Sequence, residues 1–343
     1  MISIKSKPVL ALLFLILALG LIFVWQKTGR TIDIGTGQVT KPLEQIKQGE
    51  ANPLNGLFCK NFQRRPLAVV LAEDPVTRPL AGLSQADLVF EMPVITGSIT
   101  RLIAVYVCNL PDEIGSLRSA RHDFIPLTMG LDAILVHWGG SHFALDQLDN
   151  GVMDNIDAMA NPYNTFYQKR GIPQPHNGFT TGEKLINGVQ KSGYRMIGQF
   201  EGYPYQDSVA SQKDVKTLRI DYSYPYNVKY VYDPETNSYS RYRANSPEMD
   251  RNSNQQIRAK NIVVMRAFSR QIEGPDYNDL DIEGTGKCQV YQNGEVINCT
   301  WQKSKSDFSS KLYFLDDNDQ EIPFVPGQVW IQIVEPSQNI TWR

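Results

Sequence analysis

The segment GKCQVYQNGEVINCTW restricts the fold more than any other part of the chain, because its centre fixes a strand register. Asn293-Gly294 has the residue types of a two-residue hairpin turn between two alternating runs. Counting outward from the turn places Cys288 opposite Cys299, at a Cα separation of about 5.5 Å that a disulfide bond spans. We therefore predict an antiparallel hairpin with a Cys288–Cys299 disulfide bond, typical of an oxidising compartment. Cys59 and Cys108 are left as a second possible pair or as two buried thiols.

The alternation of apolar and polar residues extends over residues 215–343. Turn signals at Asp-Pro, Asn-Gly and Pro-Gly separate the runs, which include YNVKYVYD, SYSRYRAN, NIVVMRAF and GQVWIQIVE. This pattern predicts a mostly antiparallel β domain. Because the region contains no histidine, we expect it to bind, pack or act as a spacer rather than to transfer protons.

Residues 53–206 show a different pattern, in which strand and helix signals alternate. The apolar runs RPLAVVLA, ADLVFEMPV and SITRLIAVYV predict buried strands. Ser141 is placed to cap one helix, and Thr180 with Glu183 has the spacing of a capping box for another. We therefore predict a mixed α/β domain here, followed by the β domain, in a chain of the α+β class.

The N-terminal residues predict a membrane attachment. Pro8 to Trp25 carry no charge, and a helix of that length crosses most of a bilayer core of about 30 Å. We predict a membrane anchor over residues 1–27, with the N-terminus inside and the bulk of the chain extracytoplasmic, and a polar linker over residues 28–52. A cleaved signal peptide is the alternative.

Composition excludes some partners. A net charge of −2 is too close to neutral for a protein that follows the phosphates of nucleic acid, so no nucleic-acid partner is expected. The GTG at residues 284–286 lacks the strand-to-helix context of nucleotide binding, and the histidine spacing matches no strong zinc motif. We therefore expect neither a cofactor nor a metal.

Several motifs, in order, resemble the YerB-like lipoprotein family: GLSQADLVFEMPV, ITRLIAVYV, IGSLRSAR, ILVHWGGS, PHN, GTGKCQVYQNGEVINCTW and PGQVWIQIVE. The resemblance extends from Asn52 to Pro336. It implies a bacterial, extracytoplasmic, membrane-attached protein with two adjoining domains of unknown function and no established activity. The chain departs from the lipoprotein pattern because no cysteine directly follows the apolar run. It also has His122 and His142 where the family motif has other residues, which favours the other two histidines as site candidates.

All four histidines lie between residues 122 and 176, beside arginines and turn residues, so chemistry is expected there. In VHWGGSH a strand end, a glycine turn and a helix start follow one another, an arrangement that favours an anion. His137 would then be an acid or base and Ser141 a ligand contact. Alternatively, the turn is only a tight connection and His137 a satisfied core residue.

Arginines supply a second prediction. Arg118 and Arg121 are three residues apart, and Arg101 enters from a strand, so the three side chains could clamp a carboxylate. Ion pairs with internal carboxylates are the alternative. Glu91 lies among apolar neighbours, where an unpaired carboxylate would have a raised pKa and could act as a general acid in glycan cleavage. If an arginine pairs with Glu91, it is instead part of a core salt bridge.

Taken together, these residues predict a cleft in the α/β domain. Two prolines stiffen the loop that presents His176 and Asn177 for hydrogen bonding. We predict that the protein binds or remodels a cell-envelope polymer or another anionic ligand, and the alternative is a non-catalytic module that docks another envelope protein. The predicted site residues are Glu91 and His137 as catalytic groups and Arg101, Arg118, Arg121, Ser141, His176 and Asn177 as ligand contacts.

Overall fold

Strands form most of the regular structure in the computed structural model, which describes residues 49–211 and 213–343. The first strands are β1 (Glu50–Ala51), β2 (Phe58–Cys59), β3 (Leu67–Ala72), β4 (Leu88–Pro93), β5 (Thr100–Tyr106), β6 (Ile114–Gly115), β7 (Ile134–His137), β8 (Asn155–Asp157), β9 (Tyr167–Gln168) and β10 (Gly178–Thr180). The α-helices are α1 (Phe124–Met129), α2 (His142–Asp149) and α3 (Gly182–Lys191). The later strands are β11 (Thr217–Ile220), β12 (Val228–Asp233), β13 (Ser238–Arg243), β14 (Ser246–Pro247), β15 (Arg258–Ala259), β16 (Asn261–Arg266), β17 (Ser269–Glu273), β18 (Tyr277–Leu280), β19 (Gly284–Gln292), β20 (Glu295–Lys303), β21 (Tyr313–Leu315), β22 (Val329–Val334) and β23 (Ile340–Trp342).

A ten-stranded mixed sheet is the centre of the fold, in the order β21-β20-β19-β16-β22-β4-β5-β3-β7-β8. Strand β22 pairs in parallel with both β16 and β4, and it thereby joins the later strands to the earlier ones. A second sheet of six strands has the order β14-β13-β12-β11-β23, with β15 beside β13. Smaller sheets are β6-β10-β9, β1-β2 and β17-β18.

The central strands β3, β4 and β5 of the ten-stranded sheet are buried on both faces, which explains their unbroken apolar runs. In β3, Ala68 and Val70 face one core, whereas Val69 and Leu71 face the other. The first core also contains residues of α1 and α2. The second contains residues of α3 and of the six-stranded sheet.

The predicted α+β class with its α/β domain is wrong, because the described chain is mostly β. The three α-helices have only six, eight and ten residues. Strand β4 was predicted to belong to a separate α/β layer, but it pairs with β22, a strand from near the end of the chain. Ser141 does cap α2, but Thr181 rather than Thr180 caps α3. Local sequence patterns indicate strands but do not specify such distant partners.

The predicted membrane helix over Pro8–Trp25 lies outside the described residues, as does most of the predicted linker. Within residues 49–211 and 213–343, no helix combines the length and the apolar character that crossing a membrane requires.

The hairpin of β19 and β20 has the register that its turn requires, and Cys288 pairs directly with Cys299. Their sulfurs form a disulfide bond at a Cα separation of 4.8 Å. Cys59 and Cys108 form a second disulfide bond at a Cα separation of 6.0 Å. All four cysteines of the chain are therefore oxidised, which fits an extracytoplasmic location.

Candidate functional site

Three of the predicted site residues, Arg101, Arg118 and Arg121, form a group that we call the arginine cluster. Arg101 is the second residue of β5, and the other two lie in the segment between β6 and α1. The main chain of this segment is fixed to the central sheet, because Arg118 N donates to Val70 O at 2.9 Å. The guanidinium of Arg101 donates from Nη1 to Ser119 O at 2.8 Å, which ties the strand to the segment.

Two arginines of the cluster are buried and Arg118 is half-buried, and none of the three has a carboxylate ion-pair partner among the described residues. Only 8% of Arg101 and 9% of Arg121 are exposed. In the described part of the chain, no carboxylate forms an ion pair with any of the three guanidinium groups. The Nε atoms of Arg118 and Arg121 are buried without a hydrogen-bond partner. The cluster therefore presents unused donors and concentrated positive charge.

The pKa values reflect this lack of compensation. Burial lowers the pKa of Arg101 well below its ordinary value, and the charges of Arg121 and Arg118 lower it further. Burial also lowers the pKa of Arg121, whose guanidinium lies 5.5 Å from the centre of the Tyr277 ring. Like charges in a desolvated place repel each other, so an anion would stabilise this arrangement.

His176 and Asp74 border the arginine cluster. His176 Nδ1 is buried without a hydrogen-bond partner and lies 3.7 Å from Asp74 Oδ2. Burial lowers the pKa of His176; Asp74 opposes this effect, while Arg118 and Arg101 strengthen it. Tyr226 donates its hydroxyl hydrogen to Asp74 Oδ1 at 3.3 Å. The structure thus brings four predicted residues together: the three arginines and His176.

Glu91 lies on the opposite face of the ten-stranded sheet. The β4–β5 register pairs Glu91 with Leu102 and Met92 with Arg101, and directly paired residues share a face. Glu91 therefore belongs to a different group, which we call the ion network. Its members are Glu73, Glu91, Arg241, Arg243 and Glu248.

In the ion network, Glu91 Oε2 accepts from Arg241 Nη2 at 2.6 Å, and Oε1 lies 2.8 Å from Arg243 Nη1. Thr100 donates a further hydrogen bond to Oε1 at 2.9 Å. Burial would raise the pKa of Glu91, but Arg243 and Arg241 lower it to about 2. The expected raised pKa, which general-acid catalysis would require, is therefore not found. Glu91 instead forms a core salt bridge, which was the alternative interpretation from the sequence.

Within the ion network, the carboxyl pKa is raised instead at Glu73, one of three acids that contact Arg243. Burial raises the pKa of Glu73 to about 8, against the effect of Arg243, and the charges of Glu248 and Glu91 contribute to the increase. Only 1% of Glu73 is exposed, so a ligand in solution cannot reach it.

The remaining predicted residues are engaged in local structure. His137 is fully buried, with Nδ1 2.8 Å from Gly139 O and Nε2 3.2 Å from Asn155 Oδ1. Ser141 Oγ accepts from Ala144 N as the cap of α2. Asn177 accepts a main-chain hydrogen bond from Lys169 beside β10. These contacts support the interpretation of His137 as a satisfied core residue.

One group near the arginine cluster has the donor atoms of a metal site. His122, Asp123 and Asp279 each offer one ligand atom, and these atoms lie within 4.8 Å of one another. His122 Nε2 is 3.1 Å from Asp279 Oδ1 and 3.5 Å from Asp123 Oδ1. Burial raises the pKa of Asp123 to about 7, and His122 opposes that effect. The same distances are also those of an imidazole that contacts two carboxylates directly, without a metal ion.

Sequence reasoning missed Asp74, Tyr226 and Tyr277. Asp74 had a usable signal, because it follows the buried run LAVVLA at the end of a strand, where site residues often lie. The two tyrosines are near the cluster only through tertiary contacts, and their sequence surroundings give no such signal.

Comparison with known proteins agrees with this architecture. The family model described as "Protein of unknown function (DUF3048) N-terminal domain" matches residues 55–195, and the corresponding C-terminal domain matches residues 218–331. The chain belongs to the DUF3048 family. The chain also aligns with a relative, "Putative lipoprotein YerB" of Bacillus subtilis. The two are 32% identical over 288 residues, which cover 82% of this chain and 85% of the relative. The resemblance to YerB-like proteins is thereby confirmed.

The fold of the chain is also similar to that of a solved structure. The crystal structure of the Bacillus subtilis YerB protein matches this chain with a TM-score of 0.76 and 30% identity. The match covers 85% of this chain and 99% of the YerB chain.

Proposed function

We propose that this protein binds an anionic polymer or ligand of the bacterial cell envelope through its arginine cluster. The observation that carries this proposal is that Arg101 and Arg121 are buried, and Arg118 half-buried beside them, without a carboxylate ion-pair partner in the described chain. Burial of a charge is costly unless the charge is paired. An anionic group of the ligand would supply that partner through charge-assisted hydrogen bonds.

The location in the envelope has independent support. The Bacillus subtilis relative carries the name of a lipoprotein, and both disulfide bonds of this chain suit an oxidising compartment. We therefore propose an extracytoplasmic protein that is attached to the membrane.

Binding without bond cleavage is the form of this function that the contacts favour. Glu91 is sealed in an ion network with a pKa of about 2, and both ring nitrogens of His137 lie near oxygen partners in the core. Neither group is open to a ligand, because both are fully buried.

Co-sedimentation of the purified full-length protein with isolated cell-wall polymer tests the proposal. We expect the wild-type protein to be retained without release of soluble fragments, and Arg118→Gln/Arg121→Gln to reduce retention at least tenfold. The control is Arg195→Gln/Arg258→Gln, which removes the same charge from two surface arginines paired with Asp132 and Asp233. Equal retention of both double variants would contradict the proposal. A wild-type protein that ignores the polymer but co-purifies with an envelope protein would favour a docking module instead.

A further inference from the structure

A carboxylate beside a cluster of arginines is unexpected in a site that binds anions. Asp74 is close enough to Arg101 and His176 to act on the charge of both. It forms no ion pair with the arginine cluster, and its Oδ1 is engaged by the Tyr226 hydroxyl. Its Oδ2 faces His176 Nδ1 across 3.7 Å, which is too long for a hydrogen bond. Oδ2 therefore keeps acceptor capacity next to a donor-rich site.

An acceptor in this position restricts the ligand. A carboxylate repels an anion that offers only acceptor oxygens, and it accepts a hydrogen bond from an anion that also carries a donor. A ligand hydroxyl beside Asp74 Oδ2 would donate a hydrogen bond to this partly exposed atom.

The number of arginines restricts the charged group. Three guanidinium groups carry three positive charges, whereas one ligand carboxylate brings a single negative charge. A phosphate monoester has a charge of about −1.5 to −2 at neutral pH and three strong acceptor oxygens. Arginine holds phosphate with a bidentate geometry, and the half-buried Arg118 is the most exposed guanidinium of the cluster.

We infer that the arginine cluster takes the phosphate group of a polyol phosphate, and that Asp74 selects this ligand by accepting a hydrogen bond from a hydroxyl near the phosphate. The inference rests on the proposed function, because it names the ligand class of the same site. Asp74 acts as a specificity-determining residue. The arginines provide affinity for anions in general.

Calorimetric titration of the full-length protein with sn-glycerol 3-phosphate and with sulfate tests the inference. Sulfate is a tetrahedral dianion without a donor at neutral pH, so we expect at least tenfold weaker binding of sulfate. In Asp74→Asn, sulfate binding should strengthen several-fold and the preference should fall to about twofold or less. His176→Gln, which alters the side chain next to Asp74 Oδ2, should also reduce the preference.

The matched control is Asp276→Asn, which removes an exposed charge that acts on Arg121 but does not border His176. It should alter the affinities for both anions by the same factor and leave their ratio intact. Equal wild-type affinities for the two anions, or an unchanged ratio in Asp74→Asn, would overturn the inference while leaving an anion site. If neither anion binds and cell-wall polymer is not retained, the proposed function fails as well. Thermal unfolding of each variant establishes that it is folded.

Discussion

Arg241 and Arg101 are both buried arginines on strands, but their surroundings differ in charge. Arg241 contacts Glu91 at 2.6 Å and Glu248 at 2.7 Å, and its guanidinium lies 3.8 Å from the centre of the Trp330 ring. Arg101 has a main-chain carbonyl as its hydrogen-bond partner, and its electrostatic neighbours are two arginines and Asp74, which forms no ion pair with it. In the ion network the fold supplies the anions, whereas in the arginine cluster no described carboxylate forms an ion pair with the guanidinium groups. A buried charge therefore indicates a binding site only when its internal partners are missing.

The largest expected effect is the loss of a charge from the ion network. Glu91→Gln removes one of the two carboxylates that Arg241 and Arg243 share, and we expect the free energy of unfolding to fall by about 3 to 5 kcal/mol. Urea denaturation measures this change. Asp233→Asn, which removes a carboxylate from an exposed pair with Arg258, is the control and should cost less than about 1 kcal/mol. Similar losses in the two variants would show that the network is not a special source of stability.

Acid should weaken the ion network through the same carboxylate. The folded-state pKa of Glu91 is about 2, below its ordinary value of 4.5, so its contribution is complete above about pH 4.5 and is lost as the pH falls toward 2. We expect the stability difference between wild-type protein and Glu91→Gln to narrow over that range. Urea denaturation of both proteins at several pH values measures this difference in the free energy of unfolding. Contributions of other acids, such as Glu73, are common to both proteins and cancel in the difference. A difference independent of pH would argue against an ionised Glu91.

The smallest expected effect is a charge loss in the arginine cluster. Arg121→Gln removes one of three like charges, and the relief of repulsion offsets the lost contact with Tyr277. We expect the free energy of unfolding without added anions to change by less than about 1 kcal/mol. Arg241→Gln, measured in parallel by urea denaturation, should lose several times more. A loss above about 3 kcal/mol in Arg121→Gln would remove the contrast between the two regions.

Much of the candidate site could be predicted from residue type and position. Arg101, Arg118, Arg121 and His176 were all expected at the site, because fixed charge and titratable rings recur within a short part of the chain. Glu91 stood out for a sound reason, since a carboxylate within an apolar strand must be unusual. Its chemistry could not be predicted, because its partner Arg241 lies 150 residues away in the sequence.

The fold was less predictable than the strands within it. Runs such as LAVVLA in β3 identify buried strands, but they do not specify whether helices or another sheet cover the two faces. Here the six-stranded sheet contributes to one of the cores, in place of the helical layer that the α+β prediction implied. The pair of inward arginines in SYSRYRAN, Arg241 and Arg243, is the sequence signal that something acidic lies opposite.

By itself, the sequence determined the hairpin of Cys288 and Cys299, because a two-residue turn and the period of two in a strand fix the register locally. Only the tertiary structure decided that Glu91 and Arg101 face opposite sides of one sheet and that just one of them meets its counterions. The physical reason is the distance along the sequence over which each effect acts. Turn geometry acts over a few residues, whereas charge compensation depends on which distant strands are packed together.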